Sequence, residues 1–571
     1  MSSYQEISSF IWGVADDILR GLFKQHEYGE IILPFVVLRR MDCIIEPHKD
    51  RIIGLYEELK DEVDPTPIIK KQTGLNFFNH SKYDLQRLKS DPNSLKVNFP
   101  NYLNGYSENV FEIIEHFQLN PLIRKLIKNN RLYLLVEKFT EIDLHPEAVD
   151  NHTMGQIFEE LLRKFSEMSN ETSGEHYTPR DVVNLLVGLV FSDAEDMLQG
   201  EGIIRSIFDC CAGTGGMLSI GQEWIHEQIS DKVRVNLFGQ ELNPQTYAIC
   251  KSDMLITGES PENIKLGSSL SEDHFEGRQF DFMITNPPFG VSWKSEKEHI
   301  KNEEGNPNGR FTAGTPRTSD GSLLFLQHLI SKMKKKGSRI GIVFNGSPLF
   351  TGDAGSGESD IRKWIIENDW LETIVALPDQ LFFNTGISTY IWIVTNDKSD
   401  ERKGKIQLIN ATDIHSSMKK SLGSKRKEIT DDQRDEILST YKNFEEVEDR
   451  SKIYNNEFFG YTKVRVEQPK KEDGEIVRKR DGSPKPDSSL RDYERIPFEK
   501  DIEDYFEAEV KPHLPEAWLD DSYHRVGYEI NFTKYFYKYQ PLRSLKEITQ
   551  DLLKLEKESA DLLKEIVDEE M

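Results

Sequence analysis

Ile203-Ile204-Arg205-Ser206-Ile207-Phe208-Asp209-Cys210-Cys211-Ala212-Gly213-Thr214-Gly215-Gly216 decides the fold. An apolar run of strand length ends in an acid, and a turn with three glycines opens a helix at Met217. Glycine lets the backbone approach a ligand closely, and the free N–H groups at a helix start favour an anion. A turn of this kind suits a cofactor that contains a nucleoside.

Working outward, the same alternation repeats. Ile203–Phe208, Val233–Phe238, Phe280–Thr285, Arg339–Phe344, Glu372–Leu377 and Tyr390–Val394 read as strands, and Asp181–Val190, Pro244–Ile256 and Ser322–Lys335 as helices between them. Strand-helix alternation predicts a doubly wound α/β sheet with its ligand at the strand C-termini. Residues 4–170 read as helical: Ile7, Phe10, Ile11, Val14, Ile18, Leu19 and Leu22 recur at helical spacing. Pro34 is expected in the first turn of the helix that continues through Arg39-Arg40-Met41. Further helices are expected near 108–129 and 153–168. The chemistry-bearing region is 171–425. Residues 426–571 form a charged C-terminal region ending in a helix. Within it and just before it, 399–435 and 463–492 read as charged loops, the second locally basic through Lys470, Lys471, Arg478, Lys479, Arg480 and Lys485. Leu545, Ile548, Leu552, Leu555, Ser559, Leu562 and Ile566 follow heptad spacing. They suit either a partner helix or the chain's own domain.

Two further segments carry chemistry. Phe238-Gly239-Gln240-Glu241-Leu242-Asn243-Pro244 ends a second strand in an acid, the place where such folds bind ribose hydroxyls, so Glu241 is the candidate. Asn286-Pro287-Pro288-Phe289 follows the strand Phe280–Thr285. An exocyclic amine on a heterocycle is a poor nucleophile because its lone pair is delocalised into the ring. Two acceptors holding both N–H groups pull that lone pair toward tetrahedral character. The Asn286 side-chain oxygen and the Pro287 carbonyl supply them, and consecutive prolines preset the carbonyl direction. Positioning and oriented dipoles then do most of the work, without a strong base. Phe289 is placed to stack on a base face. In this order the glycine turn, Glu241 and Asn286 point to methyl transfer from S-adenosylmethionine to a planar amine, with adenine N6 the first choice. Asp209 then lies near the cofactor's amino group. Gly174-Glu175-His176-Tyr177-Thr178-Pro179-Arg180 precedes the first strand; Thr178 is expected to cap the helix that Pro179 begins, with contacts to the cofactor's methionine end. The polar stretch 292–320 is expected as a long loop that closes over a target.

Composition narrows the class. Length allows two to four domains. No run approaches a membrane span, and the N-terminus lacks a secretory pattern, so a cytoplasmic protein is expected. Four cysteines, at 43, 210, 211 and 250, form no C-x-x-C pair, so neither a zinc cluster nor a disulfide framework is expected. The 72 Lys and Arg face 98 Asp and Glu, a net charge of −26. Phosphate binding needs the opposite sign, so a chain of this charge acting on DNA requires a basic channel or a basic partner.

These residues closely resemble the modification subunit of type I restriction–modification systems, the HsdM family. Asp16–Gly21 and Pro34–Arg40 resemble its helical N-terminal domain. Gly174–Arg180, Asp209–Gly216, Asn286–Phe289, Ser319–His328 and Leu377–Gly386 resemble its Rossmann-like catalytic domain. Arg525–Ile530 and the terminal heptads resemble its C-terminal region. The resemblance implies a helical N-terminal domain over 1–170, a methyltransferase domain over 171–425 and a partner-docking tail. The implied activity is adenine-N6 methylation of double-stranded DNA. It also implies a separate specificity subunit (HsdS-like), a second copy of the modification subunit, and a restriction subunit (HsdR-like) that can join that core. On this reading Asn286, Pro287, Pro288 and Phe289 are catalytic. His176, Tyr177, Thr178, Pro179, Asp209, Ala212, Gly213, Thr214, Gly215, Gly216, Glu241 and Ser268 bind the cofactor, and no metal is required. Two departures stand out. Cys210 replaces the family's usual Pro, and Ser268 stands where many relatives carry an Asp or Asn that contacts the cofactor's adenine. The alternative readings are an RNA or protein-amide N-methyltransferase, a self-sufficient DNA methyltransferase, and an assembly subunit without activity.

Overall fold

Nine strands form the central sheet: β1 (Ile204–Asp209), β2 (Arg234–Glu241), β3 (Ile264–Leu266), β4 (Phe282–Thr285), β5 (Arg339–Asn345), β6 (Leu371–Ala376), β7 (Thr389–Thr395), β8 (Lys405–Asn410) and β9 (Ser451–Asn455). Their order is β9-β8-β6-β7-β5-β4-β1-β2-β3. The computed structural model describes residues 4–168, 178–199, 202–383, 385–422, 424–537 and 544–569. β1 pairs in parallel with β2 on one side and with β4 on the other. The chain therefore leaves β1 in two directions, and the crevice at the C-terminal ends of β1 and β4 is a topological switch point. β7 runs antiparallel between β5 and β6. Strands β4 to β7 are buried on both faces, which explains their continuous apolar runs. Ile207, Phe282, Ile284, Val343, Ile391 and Ile393 are wholly buried, each contributing on the order of 1.5–3 kcal/mol.

Helices cover the sheet and build the N-terminal part. α1 (Tyr4–Leu19), α2 (Tyr28–Ile45) and α3 (Asn151–Met168) belong to the helical region. α4 (Arg180–Phe191), α5 (Gly216–Trp224) and α6 (Pro244–Thr257) lie within the α/β part. The two parts share one core: Ala248, Leu255 and Ile256 of α6 are buried with the N-terminal helices. Lys251 and Tyr247 of α6 also hold Glu112, at 2.8 and 2.6 Å. Pro34 departs from expectation. α2 begins at Tyr28, so Pro34 lies in its interior. An interior proline costs about 3 kcal/mol; nearly every residue of this helix is buried, and that packing outweighs the lost bond.

Beyond 290 the chain forms α7 (Lys297–Glu304) inside the expected loop, then α8 (Ser322–Ser331). Residues 399–435 and 463–492 are not simple charged loops. The first contains β8 and the start of α9 (Asp431–Asn443), whose N-terminus carries a capping box between Thr430 and Gln433. The sheet continues past residue 425, because β9 pairs antiparallel with β8. β10 (Gly460–Glu467), β11 (Asp492–Pro497) and β12 (Trp518–Tyr528) form a separate sheet in the order β11-β10-β12.

Residues 531–571 make a second unit. It contains α10 (Leu545–Glu569). Leu545, Ile548, Leu552 and Leu555 are exposed along it; the side chains of Leu562 and Ile566 lie outside the described residues. Among the described residues no helix is long and apolar enough to cross a membrane.

Candidate active site

The glycine turn joins β1 to α5 through two left-handed residues, Gly213 (φ 54°) and Gly215 (φ 90°). A Cβ on Gly215 would stand 2.9 Å from Cys250 Sγ, so both conformation and space require glycine there. The turn is clamped from below. Ala212 N–H donates to the Gln240 carbonyl at 2.9 Å. Gly213 N–H donates to Glu241 Oε2 at 2.8 Å, and Asn243 N–H donates to Glu241 Oε1 at 2.8 Å. Glu241 thus braces the turn while lying in the same cavity wall.

Asp209, at the end of β1, is buried. Its Oδ1 accepts from Thr285 Oγ1 at 2.6 Å and from Cys211 N–H at 2.9 Å. Burial pushes its carboxyl up to about 7, against the opposing pull of those two hydrogen bonds; the negative Glu241 nearby adds to the rise.

Asn286 leaves the end of β4. Its Nδ2 donates to Thr178 Oγ1 at 2.9 Å, while its Oδ1 is buried with no hydrogen-bond partner. An acceptor buried in this state is costly unless something completes it. The contact also revises the reading of Thr178. It does not cap the next helix, whose N-cap is Pro179 without a side-chain bond; it orients Asn286 instead. Phe289 packs edge-on against Phe382, ring centroids 5.9 Å apart.

A cavity of about 850 Å³ joins these elements. Among the expected residues Thr178, Asp209, Ala212, Gly213, Thr214, Gly216, Glu241, Ser268, Asn286 and Pro288 line it. Gly215 shapes the turn, and Pro179 stands at the start of α4. Pro287 and Phe289 are not part of the lining. His176 and Tyr177 lie outside the described residues. Sequence reading missed Leu242, Trp293, Glu296 and Phe325, which also line the cavity. Leu242 carried a local signal, as the apolar residue directly after the acid of β2, and Phe325 lies within Ser319–His328; Trp293 and Glu296 carried none. The cavity also reaches His152, Glu223 and Glu227, whose ligand atoms lie within 4.8 Å of one another; Arg180 already pairs with Glu223 at 3.4 Å.

A glycine turn after β1, an acid after β2 and Asn-Pro-Pro-Phe after β4, all at one switch point, define an S-adenosylmethionine-dependent methyltransferase fold. The model of the N-6 DNA methylase family matches residues 149–465, more than half of the chain, and that of the HsdM N-terminal domain matches residues 7–139. The chain belongs to the N-6 DNA methylase family and is an adenine-specific DNA methyltransferase of the type I modification-subunit kind. It is 28% identical over 474 residues to the type I restriction enzyme MjaIX methylase subunit of Methanocaldococcus jannaschii, covering 80% of each chain. It is 26% identical over 257 residues to the EcoKI methylase subunit of Escherichia coli, covering 42% of this chain and 44% of that one. In structure it is similar to the type I restriction–modification methyltransferase subunit of Streptococcus thermophilus, with TM-score 0.63 and 22% identity over 80% of this chain and 97% of that one.

Proposed function

We propose that Asn286 Oδ1 and the Pro287 carbonyl hold the exocyclic amino group of an adenine turned out of double-stranded DNA. The supporting observation is the buried, unpartnered Oδ1 of Asn286, whose Nδ2 donates to Thr178 Oγ1 at 2.9 Å. Two acceptors on one amine raise its nucleophilicity at the point of attack, and their preorganisation costs nothing during reaction. Base extrusion costs a few kcal/mol. The Thr285–Asp209 bond ties the end of β4 to the end of β1, so target and cofactor subsites share one rigid edge.

The residues present fit S-adenosylmethionine. Gly213 and Gly215 leave room for the methionine end at the start of α5, Asp209 suits its ammonium, and Glu241 suits ribose hydroxyls. Bound there, the cofactor supplies an electrophilic methyl group. Asp209 and Glu241 orient it, Asn286 aims the amine at it, and the cavity walls exclude water.

The net charge of −26 favours an assembly over the isolated chain. The exposed leucines of α10 suit docking onto helices of a specificity subunit, with two modification subunits per specificity subunit and a restriction subunit able to join. The test is coexpression with the specificity partner and mapping of modified adenines by single-molecule sequencing. Asn286→Ala should abolish N6-methyladenine by at least about 100-fold while leaving cofactor affinity and partner binding intact. Methylation retained by that variant refutes the chemistry, and methylation of RNA or protein amides in place of DNA refutes the substrate.

A further inference from the structure

Ser268 stands on the turn after β3 and lines the same cavity as Leu242. Its hydroxyl is already committed: it donates to Glu296 Oε1. Ser271 Oγ donates to the same oxygen at 3.1 Å. Glu296 does not belong to that turn. It comes from the segment that follows Asn286–Phe289 and reaches back into the cofactor side of the cavity. The segment is pinned there by Arg310. Its guanidinium donates to the Ser269 carbonyl at 2.6 Å and the Leu270 carbonyl at 2.7 Å, and to Glu303 Oε2 at 2.7 Å. Trp293, buried beside Glu296, donates from Nε1 to the Arg317 carbonyl at 2.9 Å. The stretch expected to close over a target thus packs against the turn after β3.

Two lining residues define what this cavity recognises. Leu242, directly after the acid of β2, is 68% exposed and offers an apolar face to a flat ring. Glu296 offers a carboxylate whose Oε1 is held by two serine hydroxyls and whose Oε2 has no donor among the described residues. A carboxylate accepts and does not donate. The pair therefore selects a planar heterocycle with an amino group at its edge and disfavours one with a carbonyl there. Resting on the cofactor reading above, we propose that Glu296, brought in by the segment after Asn286–Phe289, accepts the exocyclic amine of the cofactor's adenine. Ser268 is then a positioning residue for Glu296, and cofactor binding and order of the 291–321 segment are linked.

The test is calorimetry of the full chain without DNA, using S-adenosylhomocysteine and its deaminated counterpart S-inosylhomocysteine, which carries a carbonyl in place of the amine. The wild type should prefer the adenosyl ligand by about tenfold or more. Glu296→Ala should weaken the adenosyl ligand about tenfold and leave the inosyl ligand unchanged. Glu296→Gln, nearly the same shape, can donate to the inosyl carbonyl and should narrow the preference from both sides. A purely structural role weakens both ligands in parallel, and that result, or an unaltered preference in both variants, overturns the proposal. Failure of the wild type to bind either ligand refutes the cofactor reading itself.

Discussion

Lowering the pH from 7 to 6 should weaken cofactor binding about fivefold, through protonation of Asp209. Its carboxyl stands near 7 in the ligand-free protein because burial disfavours the charge more than Thr285 and Cys211 N–H support it. An ammonium placed beside it requires the carboxylate. The ionised fraction falls from about one half at pH 7 to about one eleventh at pH 6, which lowers the affinity by that ratio, about 1 kcal/mol. The ligand's own α-amino group, beside its own carboxylate, is more basic than a chain terminus and stays charged throughout this window. Glu241 faces Asp209 across the turn, and its charge adds to the rise. Asp253, also pushed by burial to about 7, lines the same cavity and accepts from Ser219 Oγ at 2.9 Å. The assay is isothermal calorimetry with S-adenosylhomocysteine at both pH values on wild type, Asp209→Asn and Asp253→Asn. Asp209→Asn should bind about 10- to 100-fold more weakly at pH 7, from loss of a charged hydrogen bond, and show no step between the two pH values. Asp253→Asn should keep the step. A step that survives Asp209→Asn, or a flat wild type, shows that the ammonium does not meet this carboxylate.

Three other changes test separate parts of the structure. Gly215→Ala forces a left-handed residue and a methyl group 2.9 Å from Cys250 Sγ; it should cost about 1–3 kcal/mol in denaturant unfolding and weaken cofactor binding, and a neutral result would contradict the tight turn. Arg339→Met leaves the buried Glu372 without the guanidinium that holds it at 2.9 Å, so unfolding free energy should fall by about 3–5 kcal/mol, read by urea titration. Deletion of 541–571 should abolish co-elution with the specificity partner in gel filtration while cofactor affinity stays within about twofold; unchanged co-elution refutes the docking role of the α10 leucines.

The six apolar runs read as strands lie within a residue or three of β1, β2, β4, β5, β6 and β7, because strands buried on both faces need unbroken apolar sequence. Pro244–Ile256 likewise lies within α6, where Asn243 caps and Pro244 begins the helix. β3 and β8 escaped for opposite reasons. β3 has three residues, too few for a period. β8 (Lys405–Asn410) sits in a charged context that hid its buried Ile406, Leu408 and Ile409. The helix after it did carry a local sign, Thr430 with Gln433 three residues on, which charge counting over 399–435 obscured.

The site divides along the same line. Residues whose role follows from backbone geometry announce themselves locally: glycines where φ is positive, an acid at a strand end, a proline pair after a strand. Residues whose role follows from where a distant segment lands do not. Thr178 has the form of a helix cap, and nothing near it in sequence shows that its hydroxyl meets Asn286 across 108 positions. Glu296 is one acid in a polar stretch, and its place beside Ser268 depends on Arg310 reaching the carbonyls of Ser269 and Leu270 some forty residues back. A carboxylate can serve one subsite from any segment that ends there, so the turn after β3 is free to carry a hydroxyl once another element brings the charge.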